Sequence, residues 1–168
     1  MNNYFIILAA GLSKRFNSKI SKQYFYYKNK KIFEHSIEKA INSKLFKKIV
    51  LVTNNPKKIP NKYKENIIII KGGKERSDSS LLALKKIKKY KPKNVFIHDA
   101  SRPDFSLKLL KKLNKGLKKN YAVIPVLKPS DTIKYKIKKE LYNLDRSKVF
   151  LTQTPQAFDF KKIYRLAN

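Results

Sequence analysis

Hydrophobic residues along the chain fall into two alternating kinds of run. Short continuous apolar stretches occur at residues 4–9, 48–53, 66–70 and 94–97, with Tyr4-Phe5-Ile6-Ile7-Leu8 and Ile49-Val50-Leu51-Val52 the clearest. Runs of this length, rich in Ile, Val and Phe, predict strands buried on both faces. Between them the spacing changes to three and four. Phe33, Ile37, Ala40 and Ile41 share one face of a helix predicted over 32–43. Leu81, Leu84 and Ile87 form a stripe over 78–90, and Ser106 is placed to cap a helix reaching 119 that turns Leu107, Leu110, Leu113 and Leu117 inward. A fifth strand is predicted at 121–126 and a short helix at 159–167. The segment 11–23 is polar and aperiodic and reads as a loop.

Strands alternating with helices at this spacing predict an α/β fold with a mostly parallel sheet flanked by helices. In such sheets ligands bind beyond the carboxyl ends of the strands. That rule selects three segments here: 9–22, 71–79 and 98–102. The pattern breaks after residue 128. Asp131-Thr132-Ile133-Lys134-Tyr135-Lys136 and Leu141-Tyr142-Asn143-Leu144 flank Lys138-Lys139-Glu140, which predicts a β-hairpin too polar for a core. This is read as a projecting arm over about 129–148. Leu151 to Phe158 reads as a polar turn before the last helix, with Pro155 near its start.

Composition narrows the class. A chain of 168 residues with 42% hydrophobic content suits a single folded domain spanning 1–168. The chain has no cysteine, so disulfides and thiolate metal sites are excluded and a reducing cytoplasm is expected. Its apolar runs are too short to cross a bilayer, no signal-peptide pattern precedes the first strand, and no membrane partner is expected. The net charge of +30 suggests polyanions. Only five of the 41 basic residues are arginines, however, and the lysines fall on polar helix faces. A nucleic-acid partner is therefore disfavoured; the charge favours small polyanionic substrates.

Each strand-end segment carries chemistry. Ala9-Ala10-Gly11-Leu12-Ser13 lets a ligand approach the backbone closely, and Arg15 and Lys22 add two cations nearby. One charge pair at about 4 Å is worth roughly 4 kcal/mol at an effective dielectric of 20, enough to matter for triphosphate binding. This is not the Walker pattern, which needs Gly-Lys-Ser/Thr entering a helix. Gly72-Gly73 marks a tight turn or close approach, with Arg76, Ser77 and Ser79 available to a base and ribose and Ser77 or Asp78 available to cap a helix. Asp99 ends the fourth buried strand, where a lone carboxylate suits Mg²⁺ shared with substrate phosphates. His98 reads first as a structural histidine, and with His35 the only other one a zinc cluster is nearly excluded.

As an ordered set, these residues resemble a family. Ala9-Ala10-Gly11 with Lys14-Arg15-Phe16, then Lys22-Gln23-Tyr24, Glu34-His35-Ser36, Gly72-Gly73 with Arg76, Asp78 and Ser79, His98-Asp99-Ala100-Ser101-Arg102-Pro103, Asp131-Thr132-Ile133-Lys134, Asp145-Arg146 and Gln153-Thr154-Pro155-Gln156-Ala157-Phe158 run in the order of 2-C-methyl-D-erythritol 4-phosphate cytidylyltransferases. The resemblance implies a Rossmann-like nucleotidyltransferase fold and an Mg²⁺-dependent transfer of CMP from CTP to a sugar-alcohol phosphate, with release of pyrophosphate. It implies that Arg15 and Lys22 are catalytic, and that Ala9, Ala10, Gly11, Gly73, Arg76 and Ser79 bind the nucleotide. Asp99 would hold the metal, and Arg102, Thr132, Arg146 and Thr154 the acceptor. Arg146 would act across a homodimer joined through the arm.

Ser101 stands where the family more often has alanine, and Lys74 where an acidic residue is common. Family members also continue past the helix at 159–167 with a segment bearing a further lysine and aspartate, so the chain reads as C-terminally truncated. Two alternatives accompany this reading: a ribitol 5-phosphate cytidylyltransferase, which shares most of these motifs, and a non-catalytic nucleotide-binding fragment.

Overall fold

The computed structural model describes residues 2–13 and 20–168. Four parallel strands form its centre: β1 (Asn3–Leu8), β4 (Lys48–Val52), β5 (Ile67–Ile70) and β6 (Asn94–Asp99). Between β1 and β4 lie a small hairpin, β2 (Tyr26–Tyr27) and β3 (Lys30–Lys31), and helix α1 (Ile32–Asn42). A single-turn helix α2 (Asn61–Lys64) precedes β5, and α3 (Arg76–Ile87) links β5 to β6. After β6 come α4 (Leu107–Gly116), the short strands β7 (Ala122–Val123) and β8 (Val126–Leu127), the hairpin β9 (Ile133–Ile137) and β10 (Glu140–Leu144), β11 (Leu151–Thr152), β12 (Gln156–Asp159) and α5 (Phe160–Ala167).

The main sheet runs β5-β4-β1-β6-β12-β7. Strand order therefore reverses between β1 and β6, and the crevice for a ligand opens at their carboxyl ends. The two faces of β1 explain both halves of the core. Phe5 and Ile7 point to one side, where they meet Phe33, Ile37 and Ala40 of α1 and Leu110 and Leu113 of α4. Tyr4 and Ile6 point to the other, against Ala83, Leu84 and Ile87 of α3 and Phe160 of α5. All of these side chains are at least 95% buried. Burying a large apolar side chain stabilises by about 1.5–3 kcal/mol, so the doubly covered sheet is where most of the stability resides.

The predicted helices and buried strands are present, with four differences. Ile41 is 40% exposed and Leu107 also 40%, so the inward faces of α1 and α4 are narrower than the spacing suggested. Ser106 does cap α4, its Oγ accepting from the Leu109 N–H at 3.1 Å. The strand expected over 121–126 is two short pieces, β7 and β8, with Pro125 between them. Proline lacks the N–H that a continuous ladder requires. The fourth difference matters most. Residues 151–158 contain β12, which lies antiparallel between β6 and β7, pairing Ala157 with Phe96 and with Val123. The chain enters this strand beside Asp99, at the edge of the sheet where the ligand crevice lies.

The arm is a two-stranded ribbon in which Tyr135 lies opposite Tyr142, their rings stacked at 5.4 Å. Ile137, Leu141 and Leu144 of the ribbon, and Val126, Leu127, Phe150 and Leu151 at its base, are all at least 40% exposed.

Candidate active site

The loop leaving β1 is held from behind by a buried glutamine. Gln23 Nε2 donates to the carbonyls of Ala9 at 2.9 Å and Gly11 at 2.8 Å. Gln23 sits just after Ser21, in the short turn Lys22–Tyr24. Tyr24 follows it into the core, where its hydroxyl lies 2.5 Å from Thr53 Oγ1. Ser13 has a left-handed backbone (φ 52°) and links the two ends of the loop. Its Oγ accepts from the Lys22 N–H at 3.0 Å and lies 3.2 Å from Gln23 Oε1.

The loop after β5 packs directly against this one. A Cβ built on Gly72 would lie 2.2 Å from Ala10 Cβ, and one on Gly73 would lie 2.3 Å from Asp78 Cβ. Neither glycine has a positive φ, so close packing rather than backbone conformation is what requires them. The Gly72 N–H donates to Asn54 Oδ1 at 3.1 Å and the Gly73 N–H to Ser79 Oγ at 3.1 Å. Asp78 caps the start of α3 by accepting from the Glu75 N–H at 3.0 Å.

The third loop begins at His98 and Asp99. His98 is fully buried, with Nε2 3.1 Å from Ser36 Oγ and Nδ1 3.0 Å from Thr154 Oγ1. Burial, together with the nearby Arg102, Lys39 and Arg76 charges, lowers its pKa to about 3, so the ring is neutral at physiological pH. The Asp99 N–H donates to Thr154 Oγ1 at 3.4 Å. The Asp99 carboxylate receives Arg76 Nε at 2.8 Å on one oxygen and lies 3.7 Å from Arg102 Nε on the other. Arg102 also donates to Gln153 Oε1 at 2.7 Å.

These loops surround two adjoining cavities. One, of about 810 Å³, is lined by Ala10, Gly11 and Ser13, by residues 71–76 and by Ser79 and Asp99. Four of its lining residues are cations, Lys71, Lys74, Arg76 and Arg102, against the carboxylates Glu75 and Asp99, so it favours an anion. The other, of about 840 Å³, is lined by Lys22, Tyr27, Phe105, Leu109, Gln153 and Thr154 among others, and is partly apolar. Ser101 and Arg102 line both. The site is thus a cationic cavity and a partly apolar cavity that meet at Ser101 and Arg102.

Residues 4–167 match the sequence model of the family IspD: 2-C-methyl-D-erythritol 4-phosphate cytidylyltransferase. The chain belongs to this cytidylyltransferase family. It is 52% identical over 170 residues to a bifunctional enzyme IspD/IspF of Pelagibacter ubique, covering 100% of this chain and 46% of that one. It is 38% identical to a 2-C-methyl-D-erythritol 4-phosphate cytidylyltransferase of Clostridium botulinum, covering 96% and 74%. Among solved structures, the bifunctional IspDF of Campylobacter jejuni superposes with a TM-score of 0.86 at 31% identity, covering 100% of this chain and 43% of that one. The chain therefore spans less than half the length of these bifunctional relatives and about three quarters of the single-function one.

The cytidylyltransferase motifs distribute over this geometry unevenly. Ala10, Gly11, Gly73, Arg76, Ser79 and Asp99 line the cationic cavity together. Ala9 does not: it is 2% exposed and belongs to the core, where it supports the loop from below. Lys22 opens onto the second cavity, not the cationic one beside Ala10 and Gly11 with which the sequence had grouped it. The loop closes back on itself through Ser13, which carries Lys22 to the side facing Arg102 and Thr154. Thr154 lines the second cavity but is 8% exposed, its hydroxyl engaged by His98 and Asp99. Thr132 and Arg146 line neither cavity, and Arg146 donates to the Ser130 carbonyl at 2.6 Å. Arg15 lies outside the described residues.

Three contributors escaped the sequence reading as site residues. Gln23 appeared only inside the Lys-Gln-Tyr triplet, Asn54 only as a strand terminator, and Gln153 only as part of a turn. Their carboxamides act on partners 12, 18 and 51 residues away, so no local spacing reveals them.

Proposed function

We propose that this chain transfers CMP from CTP to 2-C-methyl-D-erythritol 4-phosphate, releasing pyrophosphate; a relative carries the name 2-C-methyl-D-erythritol 4-phosphate cytidylyltransferase. The observation that carries this reading is the pair of cavities meeting at Arg102. A nucleoside triphosphate in the cationic cavity and a phosphorylated acceptor in the other bring two anions together at that wall. An oxygen of the acceptor phosphate attacks the α-phosphorus. The bond from that phosphorus to the bridging oxygen of the β-phosphate breaks, and the pyrophosphate leaves with the electron pair. No group need form a covalent intermediate; the work is alignment and neutralisation of charge.

In this reading Ala10, Gly11, Gly73, Arg76 and Ser79 hold the nucleotide. Arg102 and Lys22 receive the acceptor phosphate beside the reacting phosphorus, with Arg15 assigned to the triphosphate. Asp99 suits a magnesium ion: a single carboxylate reaching into a cavity that admits phosphates fits an ion that keeps several non-protein ligands. Among the described residues no group of three or more acidic, histidine or cysteine side chains is placed to hold a metal ion, so substrate phosphates and waters would complete the coordination beside Asp99. Bound there, the ion would offset charge on the triphosphate oxygens. Arg76 and Arg102, now on the Asp99 oxygens, would shift toward substrate oxygens.

The arm supports a homodimer. Its exposed apolar side chains need cover, and Thr132 and Arg146 face neither cavity of their own chain, which suits contribution to a second copy. Among the described residues no helix is long and apolar enough to cross a membrane; a cytoplasmic setting is our reading of the cysteine-free sequence.

A pyrophosphate-release assay with CTP, Mg²⁺ and methylerythritol phosphate tests the proposal, with ribitol 5-phosphate run in parallel. Product with methylerythritol phosphate alone supports it. Product only with ribitol phosphate, or with neither, overturns it.

A further inference from the structure

We infer that Gln23 is the positioning residue that holds residues 9–13 against Lys22 beside the cationic cavity, acting with Ser13 as a polar staple between them. This rests on the reading of the cationic cavity as a triphosphate site. The hydrogen-bond chain has one consistent direction. The Lys22 N–H donates to Ser13 Oγ at 3.0 Å, and the Ser13 hydroxyl donates to Gln23 Oε1 at 3.2 Å. Gln23 Nε2 then uses both hydrogens, on the carbonyls of Ala9 at 2.9 Å and Gly11 at 2.8 Å. Rotating the amide by half a turn would set its oxygen against two carbonyls, so only one orientation satisfies the set.

The staple has three consequences. It engages the carbonyls of Ala9 and Gly11 with donors, so that neither presents an unpaired oxygen to a cavity meant for phosphates. It fixes the backbone of Lys22 relative to Gly11, and so sets which cavity the lysine serves. It also holds Ser13 at a φ of 52°, a left-handed conformation that is unfavourable for a serine and that persists only when the surroundings impose it. Gln23 is 4% exposed and borders the cationic cavity, but both of its donor hydrogens are committed to the Ala9 and Gly11 carbonyls, so its part is indirect. Glutamate is the informative replacement. It keeps the size and the acceptor, removes the two donors and presents a carboxylate to two carbonyl oxygens.

The test measures dissociation constants for CTP and for inorganic tripolyphosphate by calorimetry, at a temperature well below the thermal midpoint, in wild type, Gln23→Glu and Ser13→Ala. Tripolyphosphate separates the staple from the base: wild type that binds it but not CTP refutes the cytidylyl reading while leaving the staple open to measurement. The expected result for Gln23→Glu is loss of tripolyphosphate affinity of about 10- to 100-fold, the range that a misplacement of about 1 Å produces. A merely structural glutamine would lower the thermal midpoint yet leave the affinity of the folded protein unchanged, and that outcome overturns the inference. Should Gln23→Glu not fold, Ser13→Ala decides: a several-fold loss of affinity supports the staple, and wild-type affinity overturns it.

Discussion

The contact between Gly72 and Ala10 offers the sharpest test of how the cationic cavity is built. Gly72→Ala places a methyl carbon 2.2 Å from Ala10 Cβ, where two such carbons need about 3.5–4.0 Å. More than 1 Å of relief must come from backbone, because alanine has no rotamer to change. Ser79 Oγ at 3.1 Å and Val52 Cγ1 at 3.5 Å block retreat in other directions. Overpacking of this kind costs about 1–3 kcal/mol. For a domain of this size that lowers the thermal midpoint by roughly 2–12 °C. Ala10 and Gly72 both line the cationic cavity, so CTP affinity should fall as well. The compensating change is Ala10→Gly, which removes the opposing carbon and alone should cost about 0.4–1 kcal/mol through backbone freedom. The double variant should be more stable than the sum of the single effects by about 0.5–3 kcal/mol. Thermal melts and CTP calorimetry on the four proteins measure this directly. Strict additivity, or a Gly72→Ala protein as stable as wild type, would refute the claim that close packing is why glycine is here.

Further outcomes follow from the same geometry. His98 is neutral when folded, with a pKa near 3, against about 6.5 unfolded. The unfolded state therefore binds the extra proton, so stability from this group is complete above pH 6.5 and falls as pH drops toward 3, by about 1.4 kcal/mol per unit. Thermal midpoints from pH 7 to pH 4 should fall less steeply in His98→Gln; parallel slopes would refute the assignment. Lys22→Ala should lower turnover by on the order of 10²–10³, as loss of one transition-state donor does, and unchanged turnover would remove Lys22 from catalysis. Asn3 is fully buried at the end of the sheet away from the site, donating to Asn114 Oδ1 at 3.0 Å and accepting from Asn94 Nδ2 at 3.0 Å. Asn3→Ala should destabilise by about 1–3 kcal/mol while leaving CTP affinity intact, which calorimetry beside denaturant melts would check. Light scattering should find a dimer at micromolar concentration, and a monomer would refute the cross-chain assignment of Arg146.

The central strands and the helices flanking them were legible because their signals are local. A run such as Ile67-Ile68-Ile69-Ile70 needs cover on both faces wherever it lies, and Phe33, Ile37 and Ala40 share a face at helical spacing alone. The three strand-end segments were legible for a related reason: a parallel sheet gathers its carboxyl ends on one edge. What the sequence could not supply was anything depending on which distant residue stands opposite. Residues 156–159 are short and half polar, and they form a strand only because β6 and β7 present partners on either side. That insertion brings the Thr154 hydroxyl beside Asp99 and turns His98 into a bridge between α1 and the second cavity. The same holds for Lys22, which Ser13 and Gln23 direct to the second cavity. Periodicity and turn chemistry act over a few bonds and so determined the elements and the edge that binds. Packing and the satisfaction of buried polar groups act through space, and they alone decided how that edge divides into two cavities.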